Sequence, residues 1–90
     1  MLKVSRVETP DNGTVLLLEG RVHGAWVSAL RESCEDALAA GPASLLVDLA
    51  GVTFVTPEGA NLLRALPRDR VRLVNASPLV LAQLHAGRST

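Results

Sequence analysis

This chain of 90 residues has few aromatic side chains and no excess of either charge. It contains one tryptophan, Trp26, one phenylalanine, Phe54, and no tyrosine. It therefore lacks the row of aromatic rings on which single-stranded bases stack. Nine basic residues balance nine acidic ones, which argues against nonspecific attraction to nucleic acid or to anionic lipid. Nucleic acid is therefore a disfavoured partner.

Thiols, histidines and nucleotide-binding motifs are equally scarce. A single cysteine, Cys34, cannot form an internal disulfide and fits a reducing compartment. The two histidines, His23 and His85, form no metal-binding spacing with each other or with Cys34. No phosphate-binding glycine loop or nucleophile elbow occurs, and Lys3 is the only lysine. We therefore expect no enzymatic activity, no cofactor and no metal.

Long hydrophobic runs are absent as well. None approaches the roughly 20 residues that a membrane-spanning helix needs, and the first residues alternate between apolar and polar instead of forming a signal peptide. We expect a cytoplasmic protein with no membrane insertion. With 48% hydrophobic residues the chain can enclose one core, so its length predicts a single domain over residues 1–90.

The balanced charge is unevenly distributed along the chain. Residues 1–59 carry four basic and eight acidic residues, whereas residues 60–90 carry five basic residues against Asp69 alone. The second part therefore predicts one solvated basic face, with an acidic partner as a functional alternative and nucleic-acid binding as a distant one. Four of these basic residues lie close together in the sequence: Arg64, Arg68, Arg70 and Arg72.

The first half of the sequence changes from strand patterns to a helix pattern. Leu2 to Glu8 predicts a strand, Thr9 to Gly13 a hairpin turn, and the apolar run Thr14 to Glu19 a buried strand. From Ala25, apolar residues recur every three or four positions, which predicts an amphipathic helix that ends at Gly41-Pro42. The apolar stripe of this helix comprises Val27, Leu30, Cys34 and Leu38.

Trp26 lies in the first turn of this predicted helix. It serves either as a core side chain or as an exposed anchor for a partner, since tryptophan is enriched in binding hot spots. In a domain this small, we expect the core position.

The middle of the sequence repeats the alternation of strand and helix. Ser44 to Leu49 predicts another buried strand, so the preceding helix forms a crossover between parallel strands. Ala50 to Val55 is interpreted as a short connection. At Thr56, a hydroxyl followed by proline and an acid predicts the start of a second helix.

The end of the sequence supplies one more strand and one more helix. Pro67 interrupts the second helix, and Val71 to Val74 predicts the last strand. Ser77-Pro78 again pairs a capping hydroxyl with proline, which predicts a third helix, and the tail is expected to fray from Gly87. The predicted order is β-β-α-β-α-β-α.

Three segments in this order resemble the STAS family, the domain of sulphate transporters and anti-sigma-factor antagonists. Leu18 to His23 resembles the family's strand ending in Gly-Glu-Leu-Asp, and Leu46 to Val55 resembles its apolar strand followed by a short apolar loop. Val71 to Pro78 is similar to its last strand and Ser-Pro helix start. The resemblance covers residues 2–86. It implies an α/β, STAS-like (SpoIIAA-like) fold with a mixed four-stranded sheet and helices packed mainly on one face.

In anti-sigma-factor antagonists, the loop before the second helix carries Asp-Ser-Ser-Gly, and a partner kinase phosphorylates the first serine. Alignment on Gly59 puts Thr56 at the aspartate and Pro57 at the phosphorylated serine. Glu58 then stands at the second serine, and His23 replaces the aspartate of Gly-Glu-Leu-Asp. Because proline has no hydroxyl, the resemblance implies a degenerate switch without serine phosphorylation. These five residues are the predicted partner-binding site.

The resemblance implies a non-catalytic protein-interaction module in bacterial regulation, with an anti-sigma factor or kinase as partner. Two alternatives involve Thr56. One is a phosphoregulated antagonist in which Thr56 accepts the phosphate. The other is a STAS subunit of a phospholipid-trafficking ABC transporter, since such relatives contact an ATPase subunit through a threonine in this loop. A plain helix cap is the structural alternative for Thr56, and a homodimer is a further expectation.

Overall fold

The computed structural model describes residues 1–85, which form seven elements in the predicted β-β-α-β-α-β-α order. The strands are β1 (Leu2–Glu8), β2 (Gly13–Val22), β3 (Ser44–Val55) and β4 (Val71–Val74). The helices are α1 (Ala25–Ala39), α2 (Pro57–Ala65) and α3 (Pro78–His85). The expectation of a tail that frays from Gly87 lies outside the described residues.

The four strands form one mixed sheet in the order β1-β2-β3-β4. Strand β1 pairs antiparallel with β2 through the predicted hairpin, in which Asn12 adopts a positive φ of 65°. Strands β2, β3 and β4 are parallel to one another. The prediction of a parallel pair joined by a crossover helix is therefore confirmed.

One face of this sheet carries the hydrophobic core. Alternate residues of the two central strands, such as Leu16 and Val47, are fully buried and belong to the same core cluster as residues of all three helices. On the opposite face, Leu17 and Asp48 are neighbours across β2 and β3 and are only half-buried. The expected packing of helices mainly on one face is confirmed.

Strand β3 is longer than predicted, because it continues through the segment interpreted as a connection. Its buried residues are two apart up to Leu49 and then three apart, at Val52 and Val55. The register of β3 against β2 shifts within each of these longer intervals. Each shift places one extra residue on β3, which is a β-bulge. The bulges break the strict alternation by which a strand is recognised in sequence.

Candidate functional site

The ends of β2 and β3 and the start of α2 meet at one end of the sheet. The backbone amide of Thr56 donates a hydrogen bond to the carbonyl oxygen of Val22 at 3.0 Å. The Thr56 hydroxyl donates to the same oxygen at 3.3 Å. These two bonds hold the start of α2 against the last residue of β2, directly before His23.

Thr56 is the N-cap of α2. Its side-chain oxygen accepts a hydrogen bond from the amide of Gly59 at 3.3 Å, which satisfies one of the free donors of the first turn. Because the hydroxyl proton is directed at Val22, the half-buried side chain uses both its donor and an acceptor site within the protein. Phosphorylation of this oxygen would remove the proton and break the bond to Val22.

The next three residues form the first turn of α2. Pro57 and Glu58 are exposed, and the Glu58 carboxylate stands where the positive end of the helix dipole favours an acid. Gly59 is buried, and a Cβ atom at this position would lie 2.7 Å from Val22 Cγ1 and 3.1 Å from Val55 Cγ1. Glycine is therefore required here by the close approach of the helix to the strand ends.

His23 begins a tight turn between β2 and α1. The amide of Trp26 donates to the carbonyl oxygen of His23 at 3.1 Å, and Gly24 adopts φ 56° and ψ −136°. These angles are typical of the first central residue of a type II′ turn, a position that favours glycine. The turn places the half-buried His23 beside the Thr56 loop and sets Trp26 in the first turn of α1.

The two large aromatic side chains of the chain are both accessible at this end. Trp26 is 37% exposed and Phe54 is 40% exposed. The expected core position of Trp26 is wrong, because this residue precedes Val27 at the edge of the buried stripe of α1. Phe54 was not predicted as a site residue. The second bulge of β3 buries Val55 in its place and leaves the ring at the surface.

Helix α3 supports this end of the sheet from the side. The side-chain oxygen of Gln83 accepts a hydrogen bond from the amide of Val55 at 2.8 Å, although the two residues are 28 positions apart. The Arg64 guanidinium of α2 donates to the backbone of α3. Phe54 and Pro57 line a cleft of about 400 Å³ next to these contacts.

All five predicted site residues thus lie at one end of the domain, together with Trp26 and Phe54. We call these seven residues the loop end. They contain no pairing of nucleophile and base, and within residues 1–85 no three metal-ligating side chains come together. Across the same residues, no helix combines the length and the apolar character that a membrane crossing demands. The loop end offers apolar contact area flanked by charge.

Three solved structures that share this fold are anti-sigma factor antagonists. One from Mycobacterium paratuberculosis aligns with a TM-score of 0.80 at 21% identity, over 96% of this chain and 77% of that chain. SpoIIAA in its unphosphorylated form aligns with a TM-score of 0.68 at 19% identity, over 84% of this chain and 76% of that one. The STAS-domain antagonist from Rhodobacter sphaeroides aligns with a TM-score of 0.67 at 16% identity, over 88% of this chain and 95% of that chain.

These structural likenesses show a shared fold. A comparison with curated proteins gives no match. The family model described as "Mlab, STAS domain" matches residues 5–88, which is nearly the whole sequence. The predicted resemblance is therefore confirmed, and the chain belongs to the STAS domain family.

Proposed function

We propose that this chain is a non-catalytic protein-interaction module and that a protein partner binds at the loop end. The observation that carries the proposal is the exposure of Trp26 and Phe54 beside the predicted site residues. Aromatic side chains are enriched in protein-binding hot spots, where charged and polar residues form the surrounding rim. The anti-sigma factor antagonists that share the fold support a regulatory protein as the partner.

The second part of the proposal is that binding at the loop end needs no phosphorylation. Pro57 has no hydroxyl, and the hydroxyl of Thr56 is hydrogen-bonded within the protein. Glu58 supplies a permanent negative charge at the helix start, where a phosphate would otherwise introduce one. The module is therefore proposed to stay in one binding state rather than to switch between two.

The proposed partner belongs to one of two classes, an anti-sigma factor or kinase, or the ATPase subunit of an ABC transporter. Either class would place the module in the cytoplasm. Purification of the tagged chain from its native host, followed by mass spectrometry, would identify the partner and so decide between the two classes.

Alanine substitution tests whether the loop end binds that partner. We expect Trp26→Ala and Phe54→Ala each to weaken the complex by roughly tenfold or more, because removal of a hot-spot aromatic costs about 2 kcal/mol or more and about 1.4 kcal/mol corresponds to a factor of ten. Val7→Ala is the matched control, since Val7 is 47% exposed but lies at the opposite end of β1 from the loop end. Equal binding by all three variants would refute the assignment of the partner to the loop end.

Intact mass spectrometry tests whether the chain is phosphorylated. After incubation with ATP and the serine/threonine kinases of the host, the chain is expected to keep its unmodified mass. A phosphate that maps to Thr56 and alters partner binding would instead establish the phosphoregulated alternative.

A further inference from the structure

A second accessible surface lies between α2, β4 and α3. It is a groove of about 630 Å³ with an aliphatic floor that includes Leu63, Val71 and Leu84. Leu81 also lines the groove and is 45% exposed. Apolar surface that faces water in a concave site is favourable to cover, and such patches commonly mark interaction sites.

The rim of this groove is basic. Arg64, Arg68, Arg72 and His85 line it, and no carboxylate does. Arg64 is held by its bond to the α3 backbone. Arg68 and Arg72 are exposed and make no side-chain hydrogen bond or ion pair with any residue from 1 to 85. We call this surface the basic groove, and its charge suits a ligand that brings carboxylates.

The basic groove follows a free edge of the sheet. Strand β4 is the last strand of the sheet and pairs only with β3 in the described part of the chain. Val71 and Leu73 share one face of β4, Arg72 lies on the other, and all three line the groove. The groove therefore wraps around the edge of β4. The amide of Val71 donates to the carbonyl oxygen of Pro67 at 2.9 Å, so an added strand would pair with the backbone groups of β4 that follow this amide.

We propose that the basic groove binds an extended acidic segment of a protein partner, which adds as a strand to the edge of β4. The aliphatic side chains of this segment cover the floor, and its carboxylates pair with Arg68 and Arg72. Nucleic acid matches the groove less well, because the lining contains leucines and no phenylalanine, tyrosine or tryptophan ring for base stacking. Residues 86–90 also lack the complementary charge, since they contain Arg88 and no acid.

A fluorescent synthetic peptide that alternates glutamate and valine is the probe for this proposal. We expect it to bind in low salt, to shift the amide resonances of Val71–Val74, and to bind less well as salt screens the ion pairs. The double variant Arg68→Glu with Arg72→Glu should bind it roughly tenfold more weakly or not at all. The double variant Arg21→Glu with Arg31→Glu is the matched control, because both arginines are exposed, neither lines the groove, and the net charge changes by the same amount.

The proposal would be overturned by no binding of the glutamate peptide, by equal binding by the double variant, or by equal binding of a lysine-valine peptide. A single-stranded oligonucleotide that binds through Arg68 and Arg72 more tightly than the peptide would assign the groove to nucleic acid instead. Phe54→Ala should leave peptide binding unchanged. The proposals for the basic groove and for the loop end can therefore be tested independently of each other.

Discussion

At the scale of a single residue, the hydroxyl of Thr56 joins the end of one strand to the start of a helix. It donates to Val22 at the end of β2 and accepts from Gly59 in the first turn of α2. Both contacts are those of a helix cap that also fastens the helix to the sheet. This geometry explains why a threonine is useful at position 56 even when it accepts no phosphate.

The cap predicts how two substitutions at Thr56 will differ. Thr56→Val keeps the shape of the side chain but removes the hydroxyl, so the free energy of unfolding should fall by about 1 kcal/mol. Thr56→Ser keeps the cap and should remain within about 0.5 kcal/mol of the wild type. Urea denaturation measures both. Equal stability of the valine variant and the wild type would show that the hydroxyl is not a structural cap.

At Gly59, substitution by alanine is predicted to lower stability, whereas helix propensity alone would predict that it raises stability. At an open helical position, alanine is more favourable than glycine by up to about 1 kcal/mol. At Gly59 the added Cβ would meet Val22 Cγ1 at 2.7 Å, so we expect Gly59→Ala to destabilise the protein by about 1 to 3 kcal/mol. A thermal or urea unfolding curve that shows stabilisation would contradict the close packing of α2 on the strand ends.

Cys34 gives a prediction about pH. Burial, with a smaller contribution from Glu35, raises the pKa of the Cys34 thiol from its usual 9.0 to about 11. The unfolded chain therefore releases this proton at a lower pH than the folded chain does, so the thiol's contribution to stability is complete below about pH 9 and is lost as pH rises through about 11.

Urea unfolding at about pH 8 and about pH 10.5 tests this effect. The wild type should lose more stability between the two pH values than Cys34→Ala does, because only the wild type carries the thiol. The comparison is simple because the chain contains no tyrosine and one lysine, which both proteins share. Equal losses would show that the thiol titrates normally in the folded state.

At the scale of elements, the sequence predicts the order of strands and helices but not the full length of β2, which runs from Gly13 to Val22, or of β3. The two central strands are marked by short apolar runs, and the starts of α2 and α3 carry capping hydroxyls followed by proline. The two bulges change the spacing of buried residues from two to three, so Phe54 moves to the surface at a position that alternation with Val52 would bury. A bulge depends on the pairing of two strands, which no local pattern reveals.

The contact between α3 and β3 predicts the effect of a substitution at Gln83. Gln83→Ala removes the acceptor of the Val55 amide at a half-buried site, so the free energy of unfolding should fall by about 1 to 2 kcal/mol. Ser28→Ala, on the exposed surface of α1, is the control and should have little effect. Hydrogen exchange of the Val55 amide should also become faster. Unchanged exchange would show that this bond does not hold the strand end.

At the scale of the whole molecule, the fold brings together residues that are far apart in sequence. His23 and the Thr56 loop were matched in advance through their family motifs, and the structure places them at the same end of the sheet. Gln83 could not be predicted as their support, because its bond to Val55 spans 28 positions. The exposure of Trp26 could not be read from helical periodicity, which places it at the boundary between the buried and exposed faces.

The fold also shows where the unevenly distributed charges of the sequence lie on the surface. Arg64, Arg68 and Arg72 supply the rim of the basic groove, whereas the loop end carries the acidic side chain of Glu58 in the first turn of α2. The two surfaces differ in charge and in apolar content, so they are suited to different ligands.

A homodimer stays a prediction, and light scattering of the purified chain over a range of concentrations would test it.

Native mass spectrometry of the complex recovered from the host tests the central claim most directly, because one spectrum reports both the bound protein and any phosphate. We predict a complex between the unphosphorylated chain and a protein partner that is recovered in full for the wild type and Val7→Ala and is strongly depleted for Trp26→Ala and Phe54→Ala. A complex that survives both aromatic substitutions, or that forms only when Thr56 changes its phosphorylation state, would contradict the account.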